Sequence, residues 1–178
     1  MTDDLRNDLL ERIPWVGGHA DIWRTFSDER FFPRLVAALA DPYRAEGVTK
    51  VAGIEARGFI LGAAVAVELS VGFVAIRKDT GLFPGEKIVR VSEPDYRGNA
   101  CTLRLQVRPL TPADRVLLVD DWLETGSQAL AARAMIEAAG AVFVGASVIV
   151  DQLSHRGRAR LGPFTALMPF ESFGPSVG

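Results

Sequence analysis

A chain of 178 residues with a formal net charge of -2 is long enough for one self-standing core, and it carries no positive field that would gather a nucleic-acid backbone. Apolar residues make up 48% and charged residues 24%, the balance of a folded globular protein and not of a disordered or fibrous one. A single cysteine, Cys101, excludes an intrachain disulfide and a cysteine-built metal site and suits a reducing cytoplasm. The start MTDDLRNDLLERIPW lacks a basic stretch followed by an apolar one, and no apolar run nears ~20 residues, so neither export nor membrane insertion is expected.

Leu5, Leu9 and Ile13 fall on one stripe and predict an amphipathic helix over 4–12, stopped by Pro14. Residues 14–28 mix turn formers with aromatics at no sustained period, which reads as a long loop with at most one short strand. Spacings of three and four among Phe32, Leu35, Val36 and Leu39 predict a helix over 29–45, capped by Ser27 or Asp28 and ended by Gly47.

A strand, helix, strand pattern follows. VTKVAGI (48–54) is a strand, GFILGAAVAVELS (58–70) a helix and GFVAI (72–76) a strand, so a parallel sheet is expected, with Gly58, Gly62, Ala63 and Ala66 letting the helix lie close on it. Residues 78–100 break the pattern with Gly81, Pro84, Gly85, Pro94 and Gly98 among charges and read as a mobile flap flanked by short strands. RVLLVD (115–120) is the next buried strand, SQALAARAMIEAAG (127–140) a helix and AVFVGASVIVD (141–151) a strand. No repeat or linker divides the chain, and residues 1–178 are expected to form one domain. His19 and His155 have no partner at metal-ligand spacing and are given no metal role.

Ligands of an open parallel sheet collect beyond the carboxyl ends of its strands. Three loops lie there: 55–58, the stretch from Arg77 onward, and 120–128. The first two offer Arg57, Arg77 and Lys78, cations suited to a diphosphate. The third delivers Asp120 and Asp121 and then turns through Glu124, Thr125, Gly126, Ser127 and Gln128 into a helix. The first backbone N–H groups of that helix have no internal partner, and its dipole favours an anion. Gly126 admits close backbone approach, and the Thr125 and Ser127 hydroxyls can donate to phosphate oxygens. Carboxylates only accept hydrogen bonds, so an acid pair beside a phosphate cradle suits a ligand that also bears hydroxyls: a phosphorylated sugar.

The segment VLLVDDWLETGSQ (116–128) resembles the phosphoribosyl-diphosphate motif of the type I phosphoribosyltransferases. AGIEARGF (52–59), AIRKDTGLFPGE (75–86) and PDYRGNACTL (94–103) are similar, in the same order and nearly the same spacing, to segments of the adenine phosphoribosyltransferase family. The resemblance covers most of the chain. It implies an α/β fold with a central parallel sheet flanked by helices, a small N-terminal hood (about 14–28) and a mobile flap (about 78–100). It implies transfer of a 5-phosphoribosyl group from its diphosphate to a ring nitrogen of a base, with release of pyrophosphate, Mg²⁺ held mainly through the substrate, and a cytoplasmic homodimer. Position by position, it implies Ala56 and Arg57 as the pyrophosphate loop, reached also by Arg77 and Lys78. It further implies Asp120 and Asp121 on the ribose hydroxyls, 124–128 around the 5-phosphate, Asp95 exchanging a proton with the base, and Tyr96 helping to close the flap. Asp95 also reads as a plain turn residue after Pro94.

The sequence departs from the family where the base would lie and in the phosphate loop. GGHADI (17–22) keeps Asp21 and Ile22 but has His19 and Ala20 where the family has a residue followed by a stacking Arg. Trp122 stands where the family is aliphatic, and Glu124 and Gln128 replace a small residue or Thr and a closing Thr. His19, Ala20, Asp21 and Trp122 are therefore the candidate base pocket, with Trp23 a candidate for the missing stack. A transferase for a non-adenine base and a non-catalytic phosphoribosyl-diphosphate sensor stay open beside the adenine-type enzyme.

Overall fold

Alternating apolar residues along parallel strands give this chain two cores, one on each face of a single sheet. The computed structural model describes residues 3–78, 82–95 and 97–174. Helix α1 (Asp3–Arg12) leads into a two-stranded antiparallel hairpin, β1 (Trp15–Val16) and β2 (His19–Ala20), then α2 (Trp23–Ser27) and α3 (Phe31–Ala40). The sheet strands and their helices follow as β3 (Lys50–Ile54), α4 (Arg57–Glu68), β4 (Gly72–Lys78), β5 (Lys87–Val91), β6 (Thr102–Gln106), β7 (Arg115–Leu123), α5 (Ser127–Ala138), β8 (Val142–Asp151), α6 (His155–Leu161) and β9 (Phe164–Pro169). A 3-10 turn, Phe170–Phe173, comes last.

The seven strands lie in the order β5-β6-β4-β3-β7-β8-β9. Strands β4, β3, β7, β8 and β9 are parallel, and β5 and β6 form an antiparallel hairpin on the β4 edge. The chain leaves β3 toward β4 and returns on its other side as β7, so a crevice opens beyond the carboxyl ends of β3 and β7. Val51, Leu117 and Val119 pack on one face with Leu9, Phe31, Leu35 and Leu61 from α1, α3 and α4. Their strand neighbours Ala52, Ile54, Val116 and Leu118 pack on the other with Ala132, Met135 and Ile136 of α5, as a period of two requires.

Helix α4 lies very close to the sheet. A Cβ on Gly53 would meet the Gly58 carbonyl oxygen at 2.0 Å, so the absence of a side chain sets the depth at which α4 enters the crevice. Among the described residues no helix is long and apolar enough to cross a membrane.

Several elements differ from the sequence expectation for local physical reasons. The loop expected over 14–28 is a hairpin and a short helix, because Gly17 and Gly18 both adopt positive φ and Asp21 N–H donates to the Pro14 carbonyl at 2.9 Å. Helix α3 stops at Ala40 and gives way to a 3-10 turn containing Pro42. Its start is held by Asp28, whose carboxylate accepts the Arg30 and Phe31 N–H groups at 3.0 and 2.9 Å. Strand β7 runs to Leu123, because Trp122 and Leu123 stay paired with Val150 and Asp151 of β8. The acid pair is thus part of the strand and the phosphate-type loop is shorter than expected. Part of the flap is the β5 strand, and Cys101 at its base is half-buried, its N–H donating to Ser92 Oγ at 3.0 Å.

Candidate functional site

A cleft of about 500 Å³ opens where the sheet order reverses. Three loops and the hairpin supply its walls. From the β3–α4 loop come Glu55, Ala56 and Arg57; from β7 and the loop after it come Asp120 to Gln128; Lys78 and Asp95 enter from the flap side. Gly18, His19 and Ala20 close one end together with Trp15, Gln152 and Phe170.

The acid pair is electrostatically tense. Desolvation first, and then the neighbouring Asp121 charge, push the Asp120 carboxyl well above the usual carboxylate range. Gly58 at the start of α4 is so near that a Cβ there would lie 3.0 Å from Asp120 Oδ1. Asp121 is 5% exposed. Its Oδ2 lies 2.7 Å from Arg57 Nη1 as an ion pair but accepts no hydrogen bond among the described residues, so the cation of the β3–α4 loop rests on the carboxylate of β7.

Gly126 sets up the turn into α5 with φ of 75°, a left-handed conformation that glycine adopts without penalty. Ser127 N–H reaches Thr125 Oγ1 at 3.3 Å, and Thr125 Oγ1 donates to Ser127 Oγ at 3.1 Å. The next N–H groups, of Gln128 and Ala129, donate to no acceptor among the described residues. With the positive end of the α5 dipole behind them, they form an anion cradle.

Glu124 also faces the cleft. Partial burial first, and then the charge of Asp95 across the opening, raise its pKa, with Arg97 opposing. Asp95 lines the cleft as well, and it is at the same time a turn residue: its Oδ1 accepts the Arg97 and Asn99 N–H groups at 2.9 and 2.8 Å. Its second oxygen makes no hydrogen bond among the described residues. Tyr96 lies outside the described residues.

Two expected residues stand back from the cleft. Arg77 is not part of its lining; its guanidinium contacts Glu55 at 3.4 Å and donates to the Leu82 carbonyl at 2.8 Å. Glu55 in return is held below the usual carboxylate range, first by Arg77 and then by the Lys78 N–H. Asp21 accepts the Trp23 N–H and pairs with Arg24, both at 3.3 Å, within its own segment.

The aromatic wall has other members than Trp23, which is 53% exposed on α2 and packs edge-on against Phe26. Trp15, Trp122, Phe170 and Phe173 form a cluster instead, Trp122 stacking on Phe173 at 5.7 Å and 11° and meeting Trp15 edge-on at 6.4 Å. Trp122 Nε1 donates to Gln152 Oε1 at 2.8 Å. Trp15, Gln152 and Phe170 were missed in the sequence. Only the carboxyl-end position of Gln152, next after the strand read over 141–151, could have signalled one of them.

No family model matches the chain. Curated relatives do: it is 40% identical over 175 residues to an adenine phosphoribosyltransferase of Streptomyces clavuligerus, covering 94% of this chain and 97% of that one. It is 45% identical over 141 residues to the enzyme of that name from Dinoroseobacter shibae, covering 79% and 77%. Among solved structures, the adenine phosphoribosyltransferase of Rhodothermus marinus superimposes with a TM-score of 0.84 at 28% identity, over 95% of this chain and all of that one. The Giardia lamblia enzyme, solved with 9-deazaadenine, does so with a TM-score of 0.75 at 34% identity, over 85% and 86%. Identity of 40% along nearly the whole of both chains places this chain in the adenine phosphoribosyltransferase family.

Proposed function

We propose that the protein transfers a 5-phosphoribosyl group from phosphoribosyl diphosphate to a ring nitrogen of a purine or similar flat base, releasing pyrophosphate, as an adenine-type enzyme of nucleotide salvage. The observation that carries this reading is the juxtaposition of Asp120 and Asp121 with the unpartnered N–H groups that open α5. The N–H groups of 126–129 would hold the 5-phosphate, and the acid pair would accept hydrogen bonds from the ribose hydroxyls. Arg57 would exchange its contact with Asp121 for the diphosphate, joined by Lys78 and by Arg77 once it leaves Glu55.

In the reaction the bond from the sugar C1 to the diphosphate oxygen breaks, the pyrophosphate keeping the electron pair, while a bond from the base nitrogen to C1 forms. Positive charge grows on the sugar, so carboxylates near the ribose and cations at the leaving group both stabilise the transition state. The proton displaced from the base nitrogen goes to a carboxylate at the flap, for which Asp95 is the candidate. Closure of 78–100 over the cleft would keep water from the sugar cation.

The donor set fits Mg²⁺. Asp120 and the buried Asp121 oxygen that accepts no hydrogen bond among the described residues would offer hard oxygen donors, and Mg²⁺ is commonly held by one or two carboxylates plus substrate phosphates. Bound mainly through the substrate, the ion would neutralise charge on the departing pyrophosphate.

A cytoplasmic homodimer belongs to the same reading. Ile60 and Val67, two turns apart on α4 and 38% and 80% exposed, offer a second copy an apolar contact, which sedimentation at micromolar concentration checks. For the function itself, titration calorimetry with phosphoribosyl diphosphate and Mg²⁺ should give saturable heat, and a panel of purines and pyrimidines should release pyrophosphate. Absence of both at millimolar ligand overturns the reading.

A further inference from the structure

Gln152 follows β8 at the acceptor end of the cleft, where neither the donor cradle nor the flap uses it. Its amide is held in one orientation. An indole N–H can only donate, so the 2.8 Å contact from Trp122 Nε1 fixes the end of the amide it meets as the oxygen. The other end is then Nε2, which carries two N–H donors and meets no acceptor among the described residues. Turning the amide over would set a donor against the Trp122 donor and lose a hydrogen bond.

The supports of this amide are themselves braced. Gln152 N–H donates to the Leu123 carbonyl at 2.8 Å, tying the ends of β7 and β8 together. The preceding Asp151 accepts Leu153 N–H at 2.8 Å and Arg158 Nε at 2.9 Å. Trp122 is fixed by its stack on Phe173 and by edge contacts with Trp15 and Phe170. A second donor without an acceptor among the described residues, Trp15 Nε1, is buried at the same wall. This end of the cleft therefore presents donors on a rigid frame, and preorganised donors select for a ligand that accepts.

We propose that Gln152 reads the acceptor base: its amide donates to a lone-pair ring nitrogen or a carbonyl oxygen on the base edge, and Trp122 is the positioning residue that keeps it a donor. An exocyclic amino group is thereby rejected at this place on the edge. The inference rests on the phosphoribosyl-transfer reading and adds to it a residue that determines which edge of the base is recognised.

The test measures pyrophosphate release at saturating phosphoribosyl diphosphate and Mg²⁺, with adenine, hypoxanthine, guanine, and adenines in which one ring nitrogen at a time is replaced by C–H. Gln152→Ala should raise KM for the preferred base about tenfold or more, leaving kcat and the KM of the diphosphate within about twofold. Bases lacking the recognised acceptor should show no such change: insensitivity of one C–H-substituted adenine while adenine itself responds marks a ring nitrogen, whereas insensitivity of adenine and all its C–H-substituted analogues marks a carbonyl oxygen. Gln152→Glu keeps an acceptor for Trp122 but turns the other end into an acceptor, so it should lose more than Gln152→Ala on the preferred base. Trp122→Phe removes the indole donor and should reduce discrimination among the bases.

Gln152→Ala or Gln152→Glu protein that binds the diphosphate by calorimetry yet keeps the wild-type base KM overturns the proposal. So does a loss that is equal for every base in the panel. Wild-type protein that fails to release pyrophosphate with every base in the panel overturns the transfer reading and this proposal with it, an outcome distinct from an active enzyme indifferent to residue 152.

Discussion

At the donor end of the cleft the chain relies on backbone and charge: N–H groups opening α5, an acid pair in β7 and Arg57 laid across it. At the acceptor end it relies on side-chain packing: Trp15, Trp122, Phe170 and Phe173 in mutual contact, with Gln152 pinned to one of them. A backbone cradle tolerates changes of side chain, because amides make its contacts. An aromatic wall does not, because each ring is both the surface presented to a ligand and the support of its neighbours.

The two ends can be separated by substitution. Asp120→Asn together with Asp121→Asn attacks the donor end, and pyrophosphate release should fall at least about 10²-fold while the thermal midpoint changes little or rises. Relief of the burial and mutual repulsion that disfavour ionised Asp120 favours a rise, and loss of the Arg57 ion pair with Asp121 opposes it. Turnover within twofold of wild type would take the acid pair out of the site. Trp122→Ala attacks the acceptor end. It should destabilise the protein by about 2–4 kcal/mol, seen in urea unfolding, and raise the KM of the base about tenfold, with the Kd of phosphoribosyl diphosphate unchanged. A matching loss at both ends would show that the ends are one unit.

The donor end was also the more legible of the two in the sequence. Val116 to Val119 form an unbroken apolar run that a buried strand requires, and Thr125-Gly126-Ser127 is a turn with its own chemistry, so a local window holds the whole signal. The acceptor end has no such window. Its members come from Trp15 of a two-residue strand, Trp122 of β7, Gln152 after β8 and Phe170 at the end of the chain. Strands of two residues are too short to show a period, and residues 152–174, with α6 and β9, carried no element in the sequence reading. Trp23 was read as the candidate stack and Trp15 was passed over, because composition cannot tell which indole a hairpin turns inward. Arg77 was legible as a cation at a strand end but not as the partner of Glu55, a contact 22 residues away in sequence.

Gly126→Ala probes the donor cradle more gently. A Cβ there would sit 2.8 Å from Leu153 Cδ2 on a backbone of positive φ, and left-handed backbone costs a non-glycine residue about 1–2 kcal/mol. Stability should fall by about that amount in urea unfolding, and phosphoribosyl diphosphate should bind several-fold more weakly, with the KM of the base unaffected. Full retention of diphosphate affinity would remove the turn from the cradle.

Glu124→Gln is the mildest change and the one that sharpens the contrast by improving the donor end. The Glu124 carboxyl has its pKa raised above its ordinary 4.5 by partial burial and by Asp95. A group raised in the folded state is fully accommodated when protonated, below its unfolded pKa, and loses that stability as pH climbs through its folded pKa. Wild type therefore carries a burden at neutral pH that the amide lacks. The Gln variant should melt higher than wild type at pH 7 to 8, and the two curves should converge as pH falls below Glu124's ordinary 4.5. Ionised Glu124 also repels a phosphate in the adjoining cradle, so the variant should bind phosphoribosyl diphosphate more tightly at neutral pH, by up to about fivefold, the scale of one charge at a helix start. Parallel melting curves across this range, or weaker diphosphate binding by the variant, would show instead that Glu124 meets a cation in the complex and belongs to the cradle.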